Sequence, residues 1–536
     1  MRAIGTLLYL WWAAPLVAHG EPQLYDNLGT LHHPISSASD PAQRYFDQGL
    51  RLVYAFNHEE AIRSFEEAAK QDPSAPMPHW GIALALGPNI NAPMSKDDGR
   101  RAVEAIKQAQ ARVSTATGAE RAYIEALAKR YLGSPRASRA ALDKAYADAM
   151  RSVWKTFPDD ADAGVLFAEA MMDLRPWDFW TAEGTPKPGT QEIVSTLEAV
   201  IEKQPDHPGA CHYYIHAVEA SREPQRALAC ADRLPGLMPG AGHLVHMPAH
   251  IYARVGMYHQ SSERNAEAAH ADERYLAGAH LTGDYADGYY SHNLHFLWSS
   301  LMMEGRSAEA LKAATSLVST ITDEQAKANR SKEVYLTTKL FTRIRFGQWE
   351  DLLREPPPAK GLRLLEGAWR LGRGMALVAT GRLPGAEGER QALLTLTKQF
   401  RRSKNQQDKL ERDLLKIAER LLAGQIAAQR RRHDEAIKTL REATKIEDSL
   451  QGAEPPHWAL PVRHYLGPVL LLAGRAPEAE AEYRVDLRWY PENGWGLFGL
   501  LQSLKVQRKD ADAAEASDRF EQAWAHADVT LSASRF

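Results

Sequence analysis

Twenty histidines occur in the 536 residues, and eleven of them lie between His207 and His295. Imidazole ligates transition metals and moves protons near neutral pH. The spacing is ordered. His212, His216 and Glu219 follow one another at steps of four and three. His243, His246 and His250 repeat the steps as three and four, and His292 and His295 are three apart. On an α-helix such steps return to one face. His-x3-His and His-x2-His each let one helix give two ligands to one ion. Leaving several imidazoles buried and unpartnered costs stability. The expectation is a transition-metal site of one or two ions, with His212, His216, His243, His246, His250, His292 and His295 as candidate ligands. Histidine-rich ligation suits copper, iron or zinc. Paired copper would bring oxygen chemistry, iron would recruit carboxylates, and zinc would activate water or act structurally. A metal-dependent oxidoreductase leads, with a hydrolase behind it. The competing readings are a solvated groove for an anionic ligand or peptide, and a hydrogen-bonded His/Glu/Tyr network.

Candidate catalytic carboxylates are Glu219, Asp173 and Glu169. The last two are one helical turn apart in VLFAEAMMDLRPWDFW. They suit metal ligation or general-base work, and equally a pair with Arg175 or a helix cap. Trp177 and Trp180 follow and are placed to wall a groove. Asn89 and Asn91 read as cap or turn residues that can face the same groove. His58 reads as structural. No HExxH, GxSxG, P-loop or GxGxxG in a βαβ context is present, so zincin-type proteolysis and nucleotide binding lack support.

The elements that must carry these residues are helical hairpins. In AQRYFDQGLRLVYAFNHEEAIRSFEEAAKQDP, Gly49, Ala61, Phe65, Ala68 and Pro73 stand at positions 8, 20, 24, 27 and 32 of a unit starting at Ala42. This resembles the tetratricopeptide repeat (TPR), a 34-residue helix–turn–helix. Matching units contain Gly424, Ala427, Ala436 and Ala443, then Leu466, Gly467, Ala479, Tyr483 and Pro491, then Trp495, Gly499 and Ala511. Sustained alternation typical of strands is missing. The middle units are degenerate and carry insertions such as TAEGTPKPGT and QGAEPPHW. The resemblance implies an all-α, right-handed TPR-like superhelix of stacked hairpins with a concave groove. The motifs LGTLHHP, HPGACHYYIHAVEAS, PGAGHLVHMPAHIYARVG and YYSHNLHFLW also resemble exported bacterial TPR proteins, from which no activity follows.

In that register His212, His216 and Glu219 take positions 5, 9 and 12 of one repeat. His243, His246 and His250 take 2, 5 and 9 of the next, and His292 and His295 take 2 and 5 of a third. The resemblance places this stripe in the groove. Neighbouring helices lie about 8–10 Å apart, close enough for imidazoles to share an ion. Cys211 and Cys230, 19 residues apart in one hairpin, are candidates for a disulfide worth about 3 kcal/mol.

A net charge of −3 gives no basic field for nucleic acid. Residues 1–20 read as a signal peptide, with Arg2, an apolar run from Ile4 to Val17, and Ala18 and Gly20 before the cut. That predicts a periplasmic or secreted protein without a membrane span in the mature chain. An N-terminal extension is expected over 21–41, a His-bearing array over 42–310 and a second array over 311–536. The groove would take a small molecule or a peptide. The alternatives to an enzyme are a peptide- or protein-binding scaffold and a metal storage or delivery protein.

Overall fold

The computed structural model describes residues 22–132, 137–181, 184–279, 285–400, 405–450 and 452–536. Among these, the backbone is α-helical apart from turns, short 3-10 and π turns, and two isolated bridges, Asn89–Ala92 and Trp180–Pro186. Most helices pack on their neighbours in sequence as hairpins, and the chain is an all-α, TPR-like stack. The first expected unit is typical. Asp40–Tyr54 begins behind Ser39, whose hydroxyl accepts the Ala42 N–H, and Pro41 occupies its first turn. His58–Gln71 begins behind Asn57. Small repeat residues are small because rings press on them. A Cβ at Gly49 would lie 2.5 Å from the Phe65 ring, and one at Gly467 or Gly499 would lie 2.1 Å from Tyr483.

Two large apolar clusters result, one running from Leu28 to Tyr252 and the other from Trp298 to Leu531. The helix Tyr258–Ala279 lies between them in sequence, and Ser291–Glu304 carries the start of the second with Trp298, Leu301 and Met302. The Trp495 indole N–H donates to the Met302 carbonyl at 2.9 Å, tying the last repeats to this joint. Residues 22–39 form an extended strap over the first hairpins. The His33 imidazole meets Asp162 at 2.7 Å, and Arg51 donates to the Leu31 carbonyl at 2.7 Å.

The signal-peptide expectation falls on residues outside those described. No described helix is long and apolar enough to cross a membrane. Cys211 and Cys230 are buried and face each other with sulfurs 2.6 Å apart.

Candidate metal centre

Three hairpins deliver the imidazoles. Pro208–Val218 starts at His207, whose ring accepts the Ala210 N–H, with Pro208 in the first turn. Every residue of this helix is buried, so His212 and His216 point into protein. The next repeat is interrupted, because Pro248 has no N–H to continue the ladder. Gly242–His246 and Pro248–Arg254 are therefore separate helices, yet Met247 between them keeps helical dihedrals. His246 and His250 thus remain one turn apart. Ser291–Glu304 brings His292, after a π turn, Ala286–Tyr290, that presents Tyr289.

The rings sort into two triads. In His212, His216 and His243, the ligating atoms all lie within 4.8 Å of one another, and the same holds for His246, His250 and His292. The Nε2 atoms of His212 and His243 are 3.0 Å apart, and those of His246 and His250 are 2.9 Å apart. Two nitrogens on one tetrahedral ion at about 2.0–2.1 Å would stand roughly 3.3 Å apart, so each triad is near ligating geometry. The triads also touch. Ring centroids are 5.7 Å apart for His216 and His250, and 5.9 Å for His243 and His246.

Hydrogen bonds set the tautomers. His212 Nδ1–H donates to the Tyr54 carbonyl at 2.7 Å, an oxygen that can only accept. His246 Nδ1–H donates to Asn265 Oδ1 at 2.6 Å, while the Asn265 amide N–H donates to the Ser261 carbonyl and fixes which end is which. His250 Nδ1–H lies 2.7 Å from Glu219 and 2.8 Å from Glu454. His216 Nδ1–H donates to Glu219 at 3.2 Å. In these four rings the Nδ1 proton is held outward, so Nε2 offers its lone pair inward. This is how metal-binding imidazoles are oriented. His216 Nε2 and His243 Nδ1 are buried without a hydrogen-bond partner. These orphaned nitrogens and the donor set fit transition-metal ions.

Electrostatics agree. Burial, helped by neighbouring imidazoles, holds His212, His243, His246 and His292 well below the ordinary histidine value, so they are neutral ligands at pH 7. Burial also lowers His216. It opposes charge on His250 too, but Glu219 and Glu454 more than offset it and push that ring up to about 10, so at pH 7 the free ring is charged and an ion there would have to displace its Nε2 proton. Glu219 bridges one ring of each triad, and its carboxyl is held below the usual range despite burial by His250 and His216. Its two oxygens face His216 Nδ1 and His250 Nδ1.

Aromatic walls enclose the rings. Phe56 sits over the first triad, 4.6 Å from His212 and 5.4 Å from His243. It adopts φ +56 at the hairpin corner, a position that Gly256, Gly305 and Gly474 fill in other repeats. A phenylalanine there carries backbone strain, sustained by its packing. Trp177, also at positive φ and 49 % exposed, stands edge-on to His216 at 5.0 Å. Tyr289 lies 4.7 Å from His243, and its hydroxyl accepts from Asn91 at 3.2 Å. Phe296 backs the second triad, 4.7 Å from His250.

Six of the seven expected ligands meet. His295 does not. It is three residues from His292, so it turns about 60° around the helix and stacks on Trp298 at 5.4 Å, with Tyr335 at its edge. Glu169 and Asp173 also stay apart from the triads. Asp173 pairs with buried Arg130 at 2.8 Å, not with Arg175. Burial and Asp173 raise Glu169 well above the carboxylate range. His58 is bonded to Asn89 at 3.0 Å, a structural role. Sequence reasoning missed Glu454, Asn265 and Phe56. Glu454 lies in the QGAEPPHW insertion, and a segment that interrupts a repeat was the available signal for it.

No family model matches the chain, and no curated protein matches it. Among solved structures, it is similar to the APC/C hetero-tetramer Cut9–Hcn1, with 12 % identity, 91 % of this chain and 77 % of that chain covered, and a TM-score of 0.32. A human IFIT1 dimer with m7Gppp-AAAA has 13 % identity, 80 % and 86 % coverage, and a TM-score of 0.32. Neither bears on the histidine cluster.

Proposed function

We propose that the two triads hold two neighbouring transition-metal ions, three histidines each, and that the protein is an exported metal-dependent oxidoreductase with copper as its metal. The observation that carries this reading is the paired convergence of Nε2 atoms behind fixed Nδ1–H bonds. A hydrogen-bonded network would use both nitrogens of each ring, whereas His216 and His243 each keep one buried and unused. The inner donor set is all imidazole, with the nearest carboxylates on the outer side of the rings. That softer set favours copper over magnesium, calcium or manganese. Three protein ligands leave each ion an open position for an exogenous molecule. Held by His212, His216 and His243 on one side and His246, His250 and His292 on the other, two redox ions would supply one-electron steps in pairs. The chain's own contribution is to fix six lone pairs, exclude bulk water with Phe56 and Phe296, and leave an approach past Trp177.

The test is metal analysis of the mature chain, purified without a histidine tag. About two equivalents of one transition metal are expected, lost in the His216→Ala/His246→Ala double variant at unchanged helicity. A wild type that neither carries nor tightly takes up copper, iron or zinc would leave the solenoid as a scaffold.

A further inference from the structure

Beside the first triad, on the far side of Tyr289, lies a partly enclosed cavity of about 180 Å³. Its walls include the rings of Tyr25, Tyr275 and Tyr285, the aliphatic Leu28 and Leu52, and the amide of Asn57. Arg274 stands at its edge. Among the described residues no carboxylate pairs with Arg274. The nearby acids are engaged elsewhere, Glu60 with Arg63 at 3.0 Å, Glu273 with Tyr290 and His270, and Asp272 with Tyr285 at 2.8 Å and Asn293 at 2.7 Å. The Tyr275 hydroxyl is buried beside Asn57 without a hydrogen bond of ordinary geometry.

The chemistry of these walls selects a ligand class. A dry cavity of about 150 Å³ accommodates benzene, so this one has room for a single ring with a small substituent. Three tyrosine rings offer edge and face contacts to such a ring. One unpaired guanidinium at the edge suits one carboxylate, which it can grip with two parallel N–H bonds. The Tyr275 hydroxyl and the Asn57 amide suit a polar substituent on the ring. Gln23 and Asn27 add polar contacts to the aromatic and aliphatic walls, and such placed polar groups orient a ligand in a small-molecule site.

We propose that this cavity binds a small aromatic carboxylate with a polar ring substituent, its acid group on Arg274 and its ring among Tyr25, Tyr275 and Tyr285. The site reaches the histidines through a ladder of rings. Centroids are 5.4 Å apart for Tyr275 and Tyr285, 5.5 Å for Tyr285 and Tyr289, and 4.7 Å for Tyr289 and His243. The bound acid therefore sits two tyrosines from the first triad. Binding does not depend on the metal reading, because none of the cavity's contacts is a candidate ligand.

The test is calorimetric titration of metal-free full-length protein with 4-hydroxybenzoate. Saturable binding at one site is expected. Arg274→Gln, at an exposed position that leaves the fold intact, should weaken it at least tenfold, and Tyr275→Phe severalfold. Phosphate should not compete, since it has no ring. The His216→Ala/His246→Ala variant should bind the acid as wild type does, which separates this cavity from the metal centre. Absence of saturable binding, equal affinity in Arg274→Gln, or full competition by phosphate would overturn the proposal.

Discussion

The two triads have the same composition and unlike supports. His212, His216 and His243 are backed by the first half of the chain, through the Tyr54 carbonyl, Glu219 and the Phe56 ring. His246, His250 and His292 need the second half. Glu454 reaches His250 from 204 residues away, and Arg254 pairs with the same carboxylate. Half-exposed Trp177 covers the buried first triad at His216, while in the second triad His292 is itself partly exposed and Phe296 backs His250. The difference teaches that one ligand pattern on successive helices becomes two sites of different dependence. One is supported within its own repeats, and the other also takes an outer contact from Glu454 of the C-terminal half.

The largest expected effect separates the triads outright. His212→Ala should weaken the first site more than about 100-fold and spare the second, and His292→Ala should do the reverse, since losing a ligand costs more than losing its outer hydrogen bond. Competition against a chelator of known affinity measures both. Equal damage to both sites from either variant would break the division.

A smaller effect tests the long-range support. Glu454→Gln removes a carboxylate from His250 while leaving all six histidines in place. It should weaken the second site about 10- to 100-fold and leave the first unchanged. Glu219→Gln should weaken both, because that carboxylate touches one ring of each. If Glu454→Gln acts equally on both sites, the C-terminal loop supports the whole cluster rather than one half.

Access should differ by less. Trp177→Ala opens the mouth over His216, so a chelator should strip the first ion severalfold faster while the second leaves at its former rate. Stopped-flow removal kinetics would show two phases, with only one shifted.

The smallest effect concerns the histidines that stay outside. Burial pushes His58 down to about 4, and burial with His457 nearby pushes His295 down to about 3. The unfolded chain takes up protons at about 6.5. Between these values the unfolded state binds protons that the folded state refuses. The stabilisation from each neutral ring is complete above about 6.5 and is lost as pH falls toward 3–4. His295→Gln should flatten the acid limb of metal-free thermal stability against pH while leaving metal content intact. A loss of metal in this variant would put His295 back among the ligands.

Helices, repeat corners and the histidine stripe were legible because each rests on local periodicity. Steps of three and four marked the faces, and Gly49 against Phe65 shows why the repeat needs a small residue there. The same periodicity misplaced His295, since an i,i+3 step allows a shared face without requiring it. Which carboxylate binds which imidazole was not legible. Asp173 found Arg130 rather than Arg175, and His250 found Glu454, because those contacts depend on how distant hairpins stack. Phe56 escaped notice for another reason. Its role comes from a strained corner, and local preference argues against the conformation that gives it that role.

The most direct measurement is the metal-to-protein ratio of untagged wild type, His216→Ala and His246→Ala, determined side by side by mass spectrometry. The expected ratios are about two, one and one, with each variant keeping the ion of its intact triad. A wild-type ratio near zero after copper, iron or zinc is supplied, or three equal ratios, would contradict a centre made of two histidine triads.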